Sequence, residues 1–201
     1  MTRRSDIAFT PAVKARQTEN GSRETYERLM EKRDWARTIT PELAQFIAER
    51  DSFYLASANA DGQPYVQHRG GPKGFLRVVD EETLGFADYT GNRQYISLGN
   101  LSENDKVALF FMDYANRRRI KLWGRARAVE TDPELARSLH VQGYRAAVER
   151  AILIKVEAWD VNCSAHITPR FDQEQIVTLT EGLRKRIREL EAELAAYKST
   201  P

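Results

Sequence analysis

The chain of 201 residues is 41% hydrophobic and 30% charged, with a mean hydropathy of -0.59, which suits one soluble globular unit with a sizeable core. Thirty-one Lys and Arg against 29 Asp and Glu leave a formal charge of +2, too little to call for nucleic acid or an anionic membrane as partner. One cysteine forbids an internal disulfide and cannot complete a Cys-rich metal motif, so no metal is expected and a reducing, cytoplasmic compartment fits best.

The first residues, MTRRSDIAFTPAVKARQTENG, have no apolar core of signal-peptide length, and no later stretch approaches membrane-spanning length. Export and insertion are therefore not expected. No repeat of solenoid period and no low-complexity tract breaks the chain.

In chain order, Ser22 is placed to cap a helix over about 23–37, with Tyr26, Leu29, Met30 and Trp35 as its apolar members. Thr40 followed by Pro41 starts a second helix to about Arg50, since proline at the first helical position gives up no needed hydrogen bond. Leu43, Phe46 and Ile47 share its apolar face. From Phe53 the pattern turns extended: 53–58 and 64–69 flank the turn pair Asp61-Gly62, the signature of a hairpin. Two more antiparallel pairs follow, 75–79 with 83–87 across an acidic turn and 107–112 with 119–129 across Asp113 to Asn116. A helix over 92–98 ending near Gly99, another beginning near Pro133 and a last apolar strand over 151–156 complete a strand-rich body with interspersed helices.

The tail has another period. Ile176, Thr180, Leu183, Ile187, Leu190, Leu194 and Tyr197 recur at alternating spacings of four and three, a heptad seam. Glu181 is spaced to pair with Lys185. Such a helix either packs on its own domain or takes a partner helix.

Several chemistries lose their support at once. There is no G-x-G-x-x-G between strand and helix, no G-x-x-x-x-G-K-[ST], no G-x-S-x-G and no H-E-x-x-H, and His68, His140 and His166 lie far apart. Three other constellations stand out. In His68-Arg69-Gly70-Gly71-Pro72-Lys73-Gly74-Phe75, glycines let backbone amides approach a ligand and the cations can neutralise a phosphate. The plainer alternative is a glycine turn with solvated cations. In Asp88-Tyr89-Thr90-Gly91-Asn92-Arg93-Gln94, Asn92 could cap the next helix and Arg93 add charge to its anion-attracting end, or both could be an ordinary cap and surface arginine. In Arg117-Arg118-Arg119-Ile120-Lys121-Leu122-Trp123-Gly124-Arg125, strand alternation sends Arg117, Arg119, Lys121, Trp123 and Arg125 to one face. Basic residues beside Trp123 could suit single-stranded nucleic acid, but the near-neutral total and the lack of aromatic stacking partners argue against it.

The stretches HRGGPKGFLRVVD, LGFADYTGNRQYISLGNL followed by NDKVALFFMDY, and NRRRIKLWGRARAVE resemble, in order and spacing, the pyridoxamine 5'-phosphate oxidase family. The resemblance implies a mainly β fold with α (α+β), an FMN-binding split β-barrel at 51–171. An N-terminal helical extension, 1–50, and a heptad-patterned helix, 172–201, would flank it. It also implies FMN as cofactor, a small organic substrate or oxygen as reactant, and a homodimer.

Carried over by position, His68, Arg69, Gly70, Gly71 and Lys73 fall where the family places a cationic strand against the flavin and its phosphate. Ala87 and Asp88 fall where backbone groups meet the cofactor, and Arg93 matches an arginine that binds the phosphate; Asn92 joins it only as the capping residue of the phosphate seat. Gln94 stands where the vitamin B6 oxidase has a lysine, and Arg119 where it has a glutamine. Trp159 and Arg170 echo a Trp and an Arg that reach the flavin. Residues 159–171 depart from the oxidase's closing segment, so vitamin B6 oxidation itself is not expected. Cys163 and His166 lie in that divergent stretch, and His166 is the candidate for orienting a substrate or donating a proton. The expected activity is that of an FMN-dependent oxidoreductase; the alternative is a non-catalytic flavin- or haem-binding protein on the same fold. No nucleic acid or membrane partner is expected, and the terminal helix offers a seam to a helical partner.

Overall fold

The computed structural model describes residues 3–161 and 164–198. Its chain forms two compact units, residues 1–113 with 119–163, and residues 114–118 with 164–201.

The first unit is built on one seven-stranded sheet in the order β2-β1-β5-β6-β7-β4-β3. Its strands are β1 (Ser52–Ala58), β2 (Pro64–Gly70), β3 (Arg77–Asp80), β4 (Thr83–Tyr89), β5 (Lys106–Asp113), β6 (Arg118–Val129) and β7 (Val148–Val161). β1 pairs antiparallel with β2 and β5, and β7 pairs antiparallel with β4 and β6. The hairpins fall where Asp61-Gly62 and the acidic turn announce them. Along β5 buried and more exposed side chains alternate, the mark of a sheet with one covered face.

The covered face closes on one cluster: Phe53 and Leu55 of β1, Leu84 and Phe86 of β4, Leu109 and Phe111 of β5, Ile120 and Leu122 of β6, Ile152, Ile154 and Val156 of β7. The helix α3 (Pro41–Ala48) adds Leu43, Phe46 and Ile47 to it, and Phe46 meets Phe111 edge to face with ring centroids 6.4 Å apart. The Thr40 hydroxyl accepts from the Leu43 amide at 3.3 Å, so the start signal works as expected. Between Trp123 and Gly124 the β6–β7 register shifts, and a Cβ on Gly124 would run into the Lys155 carbonyl.

The N-terminal region departs from expectation in three ways. A helix α1 (Pro11–Glu19), preceded by a 3-10 turn at Arg4–Ile7, adds to the expected elements; Thr10 caps it by accepting from the Val13 amide at 3.3 Å. Helix α2 (Arg23–Lys32) stops short of Arg37, and Ser22 does not cap it: its hydroxyl donates to the Gln17 carbonyl at 3.4 Å. Tertiary partners claim residues 34–36 instead. The Asp34 carboxylate accepts from the Arg4 and Ser5 amides at 2.7 and 3.2 Å, Trp35 stacks on Trp123 with centroids 4.7 Å apart, and the Ala36 carbonyl accepts from the Trp159 amide at 2.8 Å. Intrinsic helix preference is a weak prior beside such contacts.

Helix α4 (Ile96–Glu103) begins four residues later than expected and continues through Gly99. Helix α5 (Pro133–Leu139) starts at Pro133, capped by Asp132 accepting from the Leu135 amide at 2.8 Å. In the second unit, α6 (Gln173–Lys198) is a 26-residue helix. Lys185 lies 4.0 Å from Glu189 rather than pairing back to Glu181.

Candidate functional site

β2, β4 and β7 bring Arg69, Asp88, Glu149 and Arg150 together in one cluster of charge. On β2 the side chains alternate, so Tyr65, Gln67 and Arg69 face the body while Val66 and His68 are exposed. Asp88, on β4, is buried, and directly across the antiparallel ladder stands Arg150 of β7. The Arg69 guanidinium is 2.6 Å from Asp88 Oδ1, and Arg150 Nε is 3.7 Å from Asp88 Oδ2. Arg150 in turn reaches Glu149 at 2.6 Å and Glu130 at 2.9 Å. Burial pushes the Asp88 carboxyl up from its ordinary value, and the two arginines pull it back only in part. Arg69 Nε is buried and has no hydrogen-bond partner among the described residues.

Two clefts open on either side of this ion pair and share Arg69, Asp88 and Tyr89. One, of about 280 Å³, is walled by Tyr65 and Gln67 of β2, by Glu149, and by the loop leading into α4. The other, of about 250 Å³, is lined by His68, Gly70, Phe75, Phe86, Ala87 and Tyr144. Both are mainly polar, and the rings of Phe75, Phe86 and Tyr144 stand beside the second. Ser97, in the first turn of α4, donates to Gln67 at 2.7 Å, and Asn100 donates to the Ser57 hydroxyl at 3.0 Å. These bonds hold α4 and its loop against β1 and β2.

That loop is strained. Arg93 and Tyr95 have φ of 59° and 55°, the left-handed region that side chains other than glycine rarely adopt. Each such residue costs about 1–2 kcal/mol, and outliers of this kind gather at ligand clamps. Asn92 does not cap α4; its carboxamide oxygen accepts from the Gln94 amide at 3.2 Å, and Tyr95 occupies the cap position with no side-chain cap. Asn92, Arg93 and Gln94 are exposed and line the first cleft. Arg93 therefore stands at the mouth of the cleft, before the helix rather than in its first turn.

The glycine-rich segment forms the tight turn after β2. The Gly71 amide donates to the Asp51 carbonyl at 2.9 Å, and a Cβ there would meet Phe75 at 2.7 Å, so only glycine lets the chain lie across that ring. Lys73 is exposed on this turn.

The remaining sequence candidates lie elsewhere. Arg119 is at the far end of β6: Val129, ten residues on, is the one that pairs with Ala151 beside Arg150. At about 3.3 Å per residue this separates Arg119 from the cluster by roughly 30 Å. Trp159 is in the core near the Arg119 end, opposite Leu122, and its indole N–H donates to the Thr38 carbonyl at 3.0 Å. His166, with φ 62°, and Arg170, whose guanidinium lies 4.8 Å over the Tyr114 ring, belong to the second unit. Cys163 falls outside the described residues. Sequence reasoning missed Arg150, Glu149 and Tyr144; the one signal for Arg150 is a cation heading the otherwise apolar run Ala151 to Ile154.

Comparisons with known proteins agree with this architecture. The pyridoxine/pyridoxamine 5'-phosphate oxidase of Dichelobacter nodosus (strain VCS1703A) is 34% identical over 90 residues, 45% of this chain, which spans 39% of that relative's length. The crystal structure of HupZ from Group A Streptococcus superposes with a TM-score of 0.51 at 21% identity, covering 66% of this chain and 99% of that one. An FMN-binding protein from Syntrophomonas wolfei subsp. wolfei gives 0.46 at 12% identity over 73% and 97%. The fold is the FMN-binding split β-barrel, with a long helix at the C-terminal end. The family model described as pyridoxamine 5'-phosphate oxidase matches residues 39–163, more than half of the chain, and the protein belongs to that family.

Proposed function

We propose that the protein is an FMN-binding flavoprotein oxidoreductase acting on a small organic substrate or oxygen, and that the two clefts around Arg69 and Asp88 take the cofactor. The observation that carries this reading is the unpartnered, buried Arg69 Nε set between two adjoining clefts. An FMN molecule has two parts to place, a phosphate on a polar chain and a flat ring. Ligand sites of this kind combine apolar walls with a few convergent polar groups.

In this assignment Arg93 and the amides of the 90–95 loop hold the phosphate, with Asn92 and Gln94 beside them. Arg69 donates through its free Nε while Asp88 fixes the rest of the guanidinium. Tyr144 offers an exposed ring over the enclosed Phe75, Phe86 and Ala87, and the backbone around Gly70 and Gly71 approaches closely. The bound isoalloxazine would supply the electron transfer; the protein's part is to position it and keep water away. Arg119, far along β6, would complete the site from a second copy, which makes the functional form a homodimer.

Titration of purified protein with FMN, followed by flavin fluorescence, tests the assignment. Stoichiometric uptake that Arg69→Ala weakens is the expected outcome, and a protein that leaves FMN fluorescence unchanged refutes it. Anaerobic reduction of the bound flavin by NADH or NADPH, then reoxidation, separates turnover from mere carriage; a flavin that never cycles favours the binding-protein alternative.

A further inference from the structure

The heptad seam of α6 is bare. Leu183, Ile187, Leu190, Leu194 and Tyr197 are between 46% and 82% exposed, whereas apolar side chains of the sheet's core are almost fully enclosed. A single helix presenting five such residues on one stripe is poorly stable by itself, because most helical stability comes from packing an apolar face.

Charge along the helix says what covers the seam. Arg184, Lys185, Arg186 and Arg188 form a basic stretch, and Glu189, Glu191 and Glu193 an acidic one immediately after it. The sign reverses between Arg188 and Glu189. The seam is symmetric about that same point: Ile187 mirrors Leu190, Leu183 mirrors Leu194, and Thr180 mirrors Tyr197. In heptad terms each mirrored couple joins an a position to a d position, the pairing that antiparallel coiled coils use.

We propose that α6 pairs antiparallel with α6 of a second copy of this chain, crossing between Arg188 and Glu189. The pairing lays the basic stretch of each helix on the acidic stretch of the other. Arg186 then flanks Glu193 and Arg184 flanks Glu191 across the interface, each twice by symmetry. Shifting the crossing by half a heptad sets Arg184 beside Arg184 and Arg186 beside Arg186, or Glu191 beside Glu191 and Glu193 beside Glu193. Like charges so placed are unfavourable, so sequence selects one register. With roughly 100 Å² of apolar area per seam side chain, the helix pair buries on the order of 1,000 Å², close to the lower bound for a specific interface. The rest of a dimer through the barrels would add to it by raising effective concentration.

Spin labels test orientation and partner together. The full-length Cys163→Ser, Glu181→Cys protein, labelled at its single introduced thiol, should give an intermolecular distance of at least about 22 Å along the axis, from about 1.5 Å per residue. The same distance should vanish in a Leu183→Glu, Ile187→Glu background that still takes up FMN. Labels within roughly 15 Å of each other would mean a parallel pair and overturn the proposal. So would the absence of any intermolecular distance, which would leave the seam to a different protein's helix, or a distance that survives the two seam substitutions. Arg184→Glu, Arg186→Glu is a second check: alone it should lose the distance, and mixed with Glu191→Lys, Glu193→Lys chains it should regain it.

Discussion

The barrel and α6 obey the same rule of patterning to opposite ends. In β5 a period of two marks Val107, Leu109 and Phe111, and all three are enclosed by their own chain. In α6 a period of three and four marks Leu183, Ile187 and Leu190, and all three stand in solvent. A periodic pattern states which residues share a face; it does not state what covers that face. The sheet's face finds its cover within the first unit, whereas the stripe on the helix stays exposed among the described residues.

The largest test of this contrast is truncation of one residue in each region. Phe111 is wholly enclosed and touches Phe46 and Phe53, so Phe111→Ala should lower the unfolding free energy by about 3–5 kcal/mol. Leu183→Ala should change the unfolding of dilute protein by less than about 0.5 kcal/mol, since alanine and leucine are both good helix formers and the site is exposed. Urea denaturation at low and high protein concentration checks both. A cost for Leu183→Ala that appears only at high concentration would mark the seam as an interface; a cost independent of concentration would place its cover within the chain.

Within the barrel the sharper comparison is between the half-buried cation and the exposed one. Removing Arg69 strips Asp88 of its closest counter-charge and the cleft of its buried donor, so FMN affinity should fall about 10- to 100-fold, the worth of a charge-assisted hydrogen bond. Arg93→Ala, at the exposed mouth, should cost no more than about fivefold, as solvent-screened charges do. Isothermal titration of the two variants measures the difference, and equal losses would remove Arg69 from its central place.

The strands, the three hairpins, the α3 face and the family were legible in the sequence because each rests on local pattern: alternation, turn pairs, a Thr-Pro start. The ends of α2 and α4 were not. Trp35 belongs to an apolar helical stripe on spacing alone, yet it stacks on Trp123 of a distant strand. The candidate site was legible at Arg69, Asp88 and Arg93, which sit beside glycines and turns. Arg150 was invisible, because its meaning comes from the β4–β7 register that sets it opposite Asp88. The spacing of Arg119 from the others is likewise a property of the ladder, not of the chain order.

A smaller effect follows from Asp88. Its carboxyl sits above the ordinary value because burial outweighs the pull of Arg69 and Arg150. It therefore takes up a proton earlier than an exposed aspartate as pH falls, and once neutral it no longer offsets the two guanidinium groups. Binding of an anion that keeps its own charge, such as sulfate, should tighten as pH falls, and Asp88→Asn should flatten that slope. The linked stability change has the same sign. An ionised form disfavoured in the fold lowers stability above the raised folded value, and stability recovers as pH falls through it towards the unfolded one. Parallel slopes in the two proteins, read by titration of sulfate, would assign the pH dependence to another group.

The smallest expected effect compares two copies of one signal. Thr10-Pro11 and Thr40-Pro41 both start helices, and each threonine hydroxyl accepts from the amide three residues on at 3.3 Å. Local chemistry is the same, so each cap should stabilise its own helix by about 1 kcal/mol. Their neighbours differ: α3 buries Leu43, Phe46 and Ile47 in the main core, whereas α1 buries only Gln17. Unfolding of α3 opens the core and is therefore coupled to global unfolding, while α1 can fray without it. Thr40→Ala should thus lower the global unfolding free energy by the full value, and Thr10→Ala by a few tenths at most, with its loss appearing as faster hydrogen exchange at the Val13 amide. Should Thr10→Ala cost as much globally as Thr40→Ala, the N-terminal helices would be part of the cooperative barrel rather than a layer laid on it.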